Sequence, residues 1–380
     1  MKKTLSLLSL LLVFALLFTA CAPTGATEEP APAEEPAPAE EPAPTEEPAG
    51  EAGEAVSMGL SLMTSIGKSV NYSVDADGKE TLARAQVDTV IAAVTFDGEG
   101  RVVNVVIDNA QTRVNFDADM KVSSDKTAPV LTKLELGDAY GMGAVSSIGK
   151  NWYEQIAELE AWMVGKTVEE IKALPVKVVD DSHQSVPDVP ELTSSVTITV
   201  EDYLAAVEKA YANAVPVSGV ATLGLGTEVS IAKSRDYAVD ADGKETLPMA
   251  QVDTVIAATA FDADGKVVGV QIDNAQTRVN YDAEGQVTSD KAAPVLSKVE
   301  LGDDYGMGTV SSIGKNWYEQ IAELEAWMVG KTVEEIKALP VKVVDDSHQN
   351  VPDVPELTSS VTITVESYLA TVAEAYENAR

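Results

Sequence analysis

The chain carries one domain-sized sequence twice. Residues 145–184 recur letter for letter at 310–349, and the offset of 165 between Val145 and Val310 holds from about residue 56 to the end. A period this long marks a duplicated domain rather than a solenoid, whose repeats run to about 20–50 residues. Each copy is of ordinary single-domain size. Whatever one copy folds into, the other must fold into as well, so any site is expected twice. The sequence divides into residues 1–20, 21–55, 56–215 and 216–380, with the last boundary where Pro216 and Gly219 end a helical pattern.

Inside a copy, strand signals come early and helix signals late. Residues 85–96 are β-rich, Asp97-Gly-Glu-Gly makes a turn, and residues 101–108 continue as a second strand, which reads as a hairpin. In the second copy Asp264-Gly265 stands at the same turn. A third strand is expected over 111–116. Trp152, Ile156, Leu159 and Met163 recur at helical spacing. Thr167 with Glu170 predicts a capping box on the next helix. A Pro-punctuated loop, 175–190, leads to an amphipathic helix over 200–212, with Thr199 as its expected N-cap. Strands followed by helices, without βαβ alternation, give an α+β class: two tandem copies of an antiparallel sheet with helices.

The first twenty residues read as an export signal, with Lys2 and Lys3 ahead of an apolar run over 5–18 and small residues before Cys21. The run is short for a membrane-spanning helix of about 20 residues. Cys21 after small residues resembles the lipobox of bacterial lipoproteins, which implies cleavage and lipidation there. Residues 28–54 repeat Glu-Glu-Pro-Ala-Pro-Ala, too poor in apolar side chains for a core, and predict a semi-rigid, disordered stalk. Cys21 is the sole cysteine and His183 and His348 the sole histidines, which excludes disulfides, thiolate metal centres and imidazole-rich sites from the folded part. A net charge of −34 argues against nucleic acid as a partner.

Little catalytic equipment is visible. There is no P-loop and no G-x-G-x-x-G after a strand. Asp75-Ala-Asp-Gly78 resembles the start of a calcium loop, but Arg84 stands where the loop needs Glu, so the stretch reads as a turn. Asp180, Asp181 and His183 are too few ligands for a metal and read as a solvated loop. One stretch remains. Residues 190–200, Pro-Glu-Leu-Thr-Ser-Ser-Val-Thr-Ile-Thr-Val, recur identically at 355–365, each just before a predicted helix. A helix N-terminus favours a phosphate. The alternation of Val196, Ile198 and Val200 with Thr197 and Thr199 is also what an edge strand shows.

Each copy resembles the FMN-binding domain of bacterial cell-surface flavoproteins, the family that includes a subunit of the sodium-pumping quinone reductase. The resemblance spans nearly a whole repeat. It is carried by residues 264–273, Tyr140-Gly-Met142, Trp152-Tyr-Glu-Gln155, residues 164–171 and Leu192-Thr-Ser-Ser-Val-Thr197. In that family FMN is joined through its phosphate to a Thr or Ser hydroxyl by a separate flavin transferase, at Asp-x-x-(Ser/Thr)-Gly-Ala-(Thr/Ser). On that motif Thr197 and Thr362 match the acceptor, and Ser194 and Ser359 the earlier hydroxyl. Glu191 and Glu356 replace Asp, Ser195 and Ser360 replace Gly, and Val196 and Val361 replace Ala.

The resemblance implies two FMN groups, with Met142, Trp152, Tyr153 and Trp162, and Met307, Trp317, Tyr318 and Trp327, as candidate neighbours of the rings. It further implies a lipid-anchored carrier on the extracellular face of the cell membrane, as in the flavin lipoproteins of Gram-positive bacteria. Such a carrier takes electrons from a membrane quinone-linked donor and hands them to extracellular acceptors. A flavin-free surface binding or structural module of the same fold is the alternative. A flavin-dependent small-molecule reductase is a further one, and no chain remains for its substrate domain.

Overall fold

In the computed structural model, which describes residues 52–380, each repeat starts with a strand that precedes the expected hairpin. The expected leader (1–20), Cys21 and nearly all of the stalk (21–55) lie outside the described residues. The first repeat opens with β1 (Ser57–Ser65), pairs it antiparallel with β2 (Arg84–Phe96), and pairs β2 with β3 (Val102–Asn115). The second repeat does the same with β4 (Thr222–Ser230), β5 (Met249–Phe261) and β6 (Val267–Asn280). Strands and helices follow in the expected order, so the α+β class and the two similar halves stand as read.

The hairpin forms at Asp97, whose Oδ1 accepts from Glu99 N at 2.9 Å and Arg101 N at 2.8 Å. The predicted third strand is the far end of β3. Nothing breaks β3 at Asp108, because that side chain is buried and accepts from Asn109 N at 2.6 Å and Leu134 N at 3.1 Å.

Helices cover one face of each sheet. They are α1 (Lys133–Leu136), α2 (Trp152–Met163), α3 (Val168–Lys172) and α4 (Glu201–Ala212), matched by α5 (Lys298–Leu301), α6 (Trp317–Met328), α7 (Val333–Lys337) and α8 (Glu366–Glu377). Trp152, Ile156, Leu159 and Met163 of α2 enter the core, as their spacing required. Thr167 accepts from Glu170 N, so its capping box is present. Thr132 and Glu135 form a further box on α1. Thr199 is not a cap: the helix begins one residue later, with Val200 at the boundary and no side chain capping it.

The opposite sheet faces meet each other. Met58, Leu60, Leu62, Ile91 and Ala93 of the first repeat pack with Leu223, Leu225, Ile256, Ala258 and Ala275 of the second. A second shared cluster joins Val87, Val114, Phe116 and Met120 to Val229, Val252, Val279 and Tyr281. Backbone links run both ways. Thr64 bridges Val295, and Val130 bridges Val229. Tyr72 N donates to Gly285 O at 2.9 Å, and Tyr237 N donates to Met120 O at 2.9 Å. The described residues therefore form one compact unit with a common interior. Among the described residues no helix is long and apolar enough to cross a membrane.

Helix α4 lies so close to β1 that a Cβ on Gly59 would stand 1.8 Å from the Ala210 carbonyl oxygen. Gly224 meets Ala375 on α8 in the same way. A side chain at either place must push backbone away from backbone, a core-overpacking penalty of roughly 3 kcal/mol or more. Chemical denaturation of Gly59→Ala is expected to show that loss. Gly98→Ala, at a turn with nothing within 4 Å, is expected to leave the midpoint nearly unchanged.

Candidate functional site

The recurring stretch at 190–200 is not an edge strand. It coils into consecutive turns, in which Thr193 N donates to Val189 O at 3.0 Å and Val196 N to Leu192 O at 2.8 Å. The alternation of Val196, Ile198 and Val200 buries all three in the first repeat's core without any strand pairing. Ser194 is exposed and Ser195 buried, and Ser359 and Ser360 follow suit. Glu201 and Asp202 already occupy the first turn of α4 and meet the positive end of its dipole. This helix terminus therefore has little positive potential left to attract a phosphate.

What fixes Thr197 is a glutamine. Gln155 of α2 is completely buried, and its Oε1 accepts from Thr197 N at 2.9 Å and from Thr197 Oγ1 at 3.2 Å. Its Nε2 donates to Ser146 Oγ at 3.3 Å and Lys150 O at 3.2 Å. Ser146 N in turn donates to Met142 O at 2.8 Å. Gln155 thus ties the threonine to the Met142 loop. Gln320 repeats the arrangement for Thr362 at 2.8 and 3.2 Å and reaches Ser311 on the Met307 loop at 3.3 Å. The amide oxygen holds the hydroxyl proton but is far too weak a base to remove it. Among the described residues no carboxylate, imidazole or amine hydrogen-bonds the Thr197 hydroxyl.

Beside this turn lies a cleft of about 590 Å³. Its lining includes Met142, Trp152, Tyr140 and Lys133, together with Ile198 and Thr199 next to the acceptor position. Met142 is half-buried at its edge. Trp152 is only 2% exposed, and its Nε1 donates to Tyr203 OH at 3.0 Å. Trp317 and Tyr368 match this at 3.1 Å. Both tryptophans are thus core side chains, and Trp152 shows an edge to the cleft. Tyr153 OH donates to Asp138 Oδ1 at 3.1 Å, and Trp162 lies under Lys166, 4.8 Å from its ring centre. Neither Tyr153 nor Trp162 lines this cleft.

Two cleft residues escaped sequence reasoning. Lys133, 8% exposed, places Nζ 5.0 Å from the Tyr140 ring centre and 5.2 Å from that of Trp152. Lys298 repeats this against Tyr305 at 5.0 Å and Trp317 at 5.1 Å. No carboxylate forms a salt bridge with either lysine among the described residues. Burial pushes both ammonium groups down to about 8, with Asp88 and Asp253 pulling the other way. The second residue is Asn109, whose Oδ1 is buried without a hydrogen bond, as is Asn274 Oδ1. A lysine at the start of a four-residue helix and an asparagine inside a strand carry no local signal. Only the fold brings them to one cleft.

Among the described residues no cluster of His, Cys, Asp and Glu could hold a metal ion. His183 and His348 sit in exposed loops, each 2.8 Å from the aspartate three residues earlier. Asp180 and Asp181 are exposed, as a solvated loop requires, but His183 is half-buried and lines the cleft with Ser182 and Gln184.

No family model matches the chain, and no solved structure matches it. Over 122 residues it is 31% identical to the chlorophenol reductase of Desulfitobacterium hafniense, a stretch that covers 29% of this chain and 37% of that protein. The chain thus shares a partial similarity with a protein named for a redox activity, and spans little more than a third of its length.

The unpaired lysines carry a thermodynamic signature. An unfolded lysine keeps its proton to about 10.5, and these keep theirs only to about 8 in the fold. The unfolded chain binds more protons across that window, so stability rises with pH through it. Each lysine costs up to roughly 3 kcal/mol below it. Denaturation midpoints of Lys133→Met measured from pH 7 to 10.5 are expected to start higher and rise less steeply than those of the wild type.

Proposed function

We propose that each repeat carries one FMN, esterified through its phosphate to Thr197 in the first and Thr362 in the second, and that the protein carries electrons at the outer face of a cell membrane. The observation that carries this reading is the duplicated link from acceptor threonine through a buried glutamine to the methionine loop, beside a cleft with an unpaired buried cation. An unpaired buried ammonium is costly. The lysine stays unpaired in both copies, and the cleft beside Lys133 is suited to a ligand that is, or becomes, electron-rich.

The donor set fits an isoalloxazine ring. Lys133 offers a cation and Asn109 an unused acceptor, and the uracil-like edge of the ring carries both carbonyl oxygens and an N–H. Met142 and Tyr140 give apolar and aromatic contact. The bound flavin supplies the redox chemistry. The chain tethers it, excludes part of the solvent, and holds positive charge where reduction adds negative charge. A phosphoester suits this role outside the cell, because a carrier that sheds free FMN loses it to the medium.

Attachment needs a flavin transferase to supply the missing base. The proposed donor is membrane quinone-linked, the acceptors are extracellular, and lipidated Cys21 is the proposed anchor. The partial likeness to a reductase supports a redox role. One feature favours a flavin-free binding module instead: Trp152, the largest aromatic at the cleft, is already committed to a tyrosine partner in the core, as is Trp317 in the second repeat.

Intact-mass measurement after coexpression with a flavin transferase tests the proposal. Two FMN adducts are expected, with one lost in Thr197→Val, one in Thr362→Val and both in the double variant. Adducts that persist in the double variant would move the attachment elsewhere, and their complete absence in the wild type would sink the covalent reading. If the flavin is present, Lys133→Met is expected to make the midpoint potential of the first flavin more negative in spectroelectrochemistry.

A further inference from the structure

The two repeats treat one buried carboxylate differently. In the first, Glu160 of α2 is 5% exposed, and its Oε1 accepts from Ile107 N at 2.7 Å. Its Oε2 meets the guanidinium of Arg380, which arrives from the second repeat. Arg380 is held there by backbone pairing with Leu223, at 3.0 and 3.1 Å. In the second repeat Glu325 of α6 stands at the same place, and its Oε1 accepts from Ile272 N at 2.6 Å. The residue that matches Arg380 is Val215, which pairs with Met58 as Arg380 pairs with Leu223. Valine brings no charge. Among the described residues no Lys or Arg forms a salt bridge with Glu325.

Glu325 instead lines a cleft of about 450 Å³ between the repeats. Leu60, Leu62, Ile321 and Ala322 supply apolar wall. Gln271 also lines it, and its Oε1 is buried and accepts no hydrogen bond, while its Nε2 donates to Asn213 O at 3.1 Å. The other charged groups facing the cleft are Asp273, Glu300 and Lys209. Lys209 is engaged, with Nζ 2.6 Å from Glu300 Oε1 and 2.5 Å from Leu62 O. Asp273 Oδ1 accepts from Asn274 N at 2.6 Å and Val299 N at 3.1 Å. Tyr318 lines the cleft too, with its hydroxyl donated to Asp303.

We propose that this cleft is a binding site for a small organic cation of the alkylguanidinium class. Its head takes Glu325 and Gln271 Oε1, and its stem lies along Leu60, Leu62 and Ile321. The chain itself supplies the template, since the matching carboxylate already holds a guanidinium on an alkyl stem. A guanidinium fits better than a bare ammonium because its planar fork can donate to a carboxylate and an amide oxygen together. Burial, with the nearby Asp273, raises the Glu325 carboxyl to about 8, so at neutral pH it holds a proton when alone. The incoming cation favours the carboxylate, and that proton leaves to solvent. This site is independent of the flavin reading.

The test is calorimetric titration of the full folded unit with 1-butylguanidinium at pH 7, in two buffers of different ionisation heat, with tetramethylammonium as a control. One saturable site is expected, with proton release and no binding of the control, which is cationic but has no N–H. Glu325→Gln is expected to bind about tenfold more weakly or worse, the loss of one charged hydrogen-bonded pair. Val215→Arg keeps Glu325 and supplies an internal guanidinium, so it is expected to fold with an unchanged circular dichroism spectrum and to bind no probe. No saturable binding to the wild type overturns the proposal. So does equal affinity for the control, or undiminished binding by both variants.

Discussion

Each sheet has two faces to bury, and each repeat has helices for only one of them. That shortage shapes the molecule. Strand β2 is buried along nearly its whole length, on both sides, and so is β5. Helices account for the side that holds Val90, Ala92 and Val94. The side that holds Ile91 and Ala93 is covered mainly by the sheet of the other repeat, with Leu134 and Val217 at its margin. Near-continuous apolar strands of this kind are what two-sided burial demands. A single repeat in water would expose that second face, a patch of the sort that drives association. Tandem duplication places the partner on the same chain and needs no second molecule. The loops that cross at Tyr72 with Gly285 and Tyr237 with Met120 hold the two sheets in register.

This arrangement explains which parts of the fold were legible in the sequence. Patterns generated inside one repeat were clear. The hairpin at Asp97, the stripe from Trp152 to Met163 and the capping box at Thr167 each depend on residues a few positions apart. Strand β1 does carry a period-two signal, with Met58, Leu60 and Leu62 alternating with Ser57, Gly59 and Ser61, but no local pattern explains why its other face is built of small residues. Those small residues are there for a reason only the tertiary structure gives: α4 presses onto them, with Ser61 Oγ donating to Ala206 O at 2.7 Å and Gly59 beneath Ala210. The same rule misjudged the stretch before α4. Its alternating Val-Thr-Ile-Thr-Val looks like a strand, yet the three apolar residues enter the core from a series of turns.

The candidate site divides along similar lines. Thr197 and Met142 stand in recognisable local motifs, 55 positions apart in the sequence. Gln155 joins them, although a glutamine inside a helix carries no signal of its own. Lys133 was invisible for a stronger physical reason. Sequence patterns place lysine on a solvated face, because a buried unpaired ammonium is normally too costly to keep. Finding it buried twice, against the same pair of aromatic rings, reverses that expectation. Side chains kept in spite of their cost to stability are those most readily explained by what they bind.

Duplication also limits how alike the two halves can remain. Forty residues are identical at 145–184 and 310–349, and inside each half the contacts match almost bond for bond. The interface between the halves cannot be symmetric to the same degree. At one end the chain runs on through Val215 and Pro216 into β4, and at the other the matching position is Arg380. Lys209 faces Glu300 on one side of the interface, while its counterpart Glu374 lies near Glu135 on the other. Burial and that like charge raise the Glu374 carboxyl to about 7. Equal cores beside unequal seams mean that the two halves can share one chemistry and still differ in what binds between them.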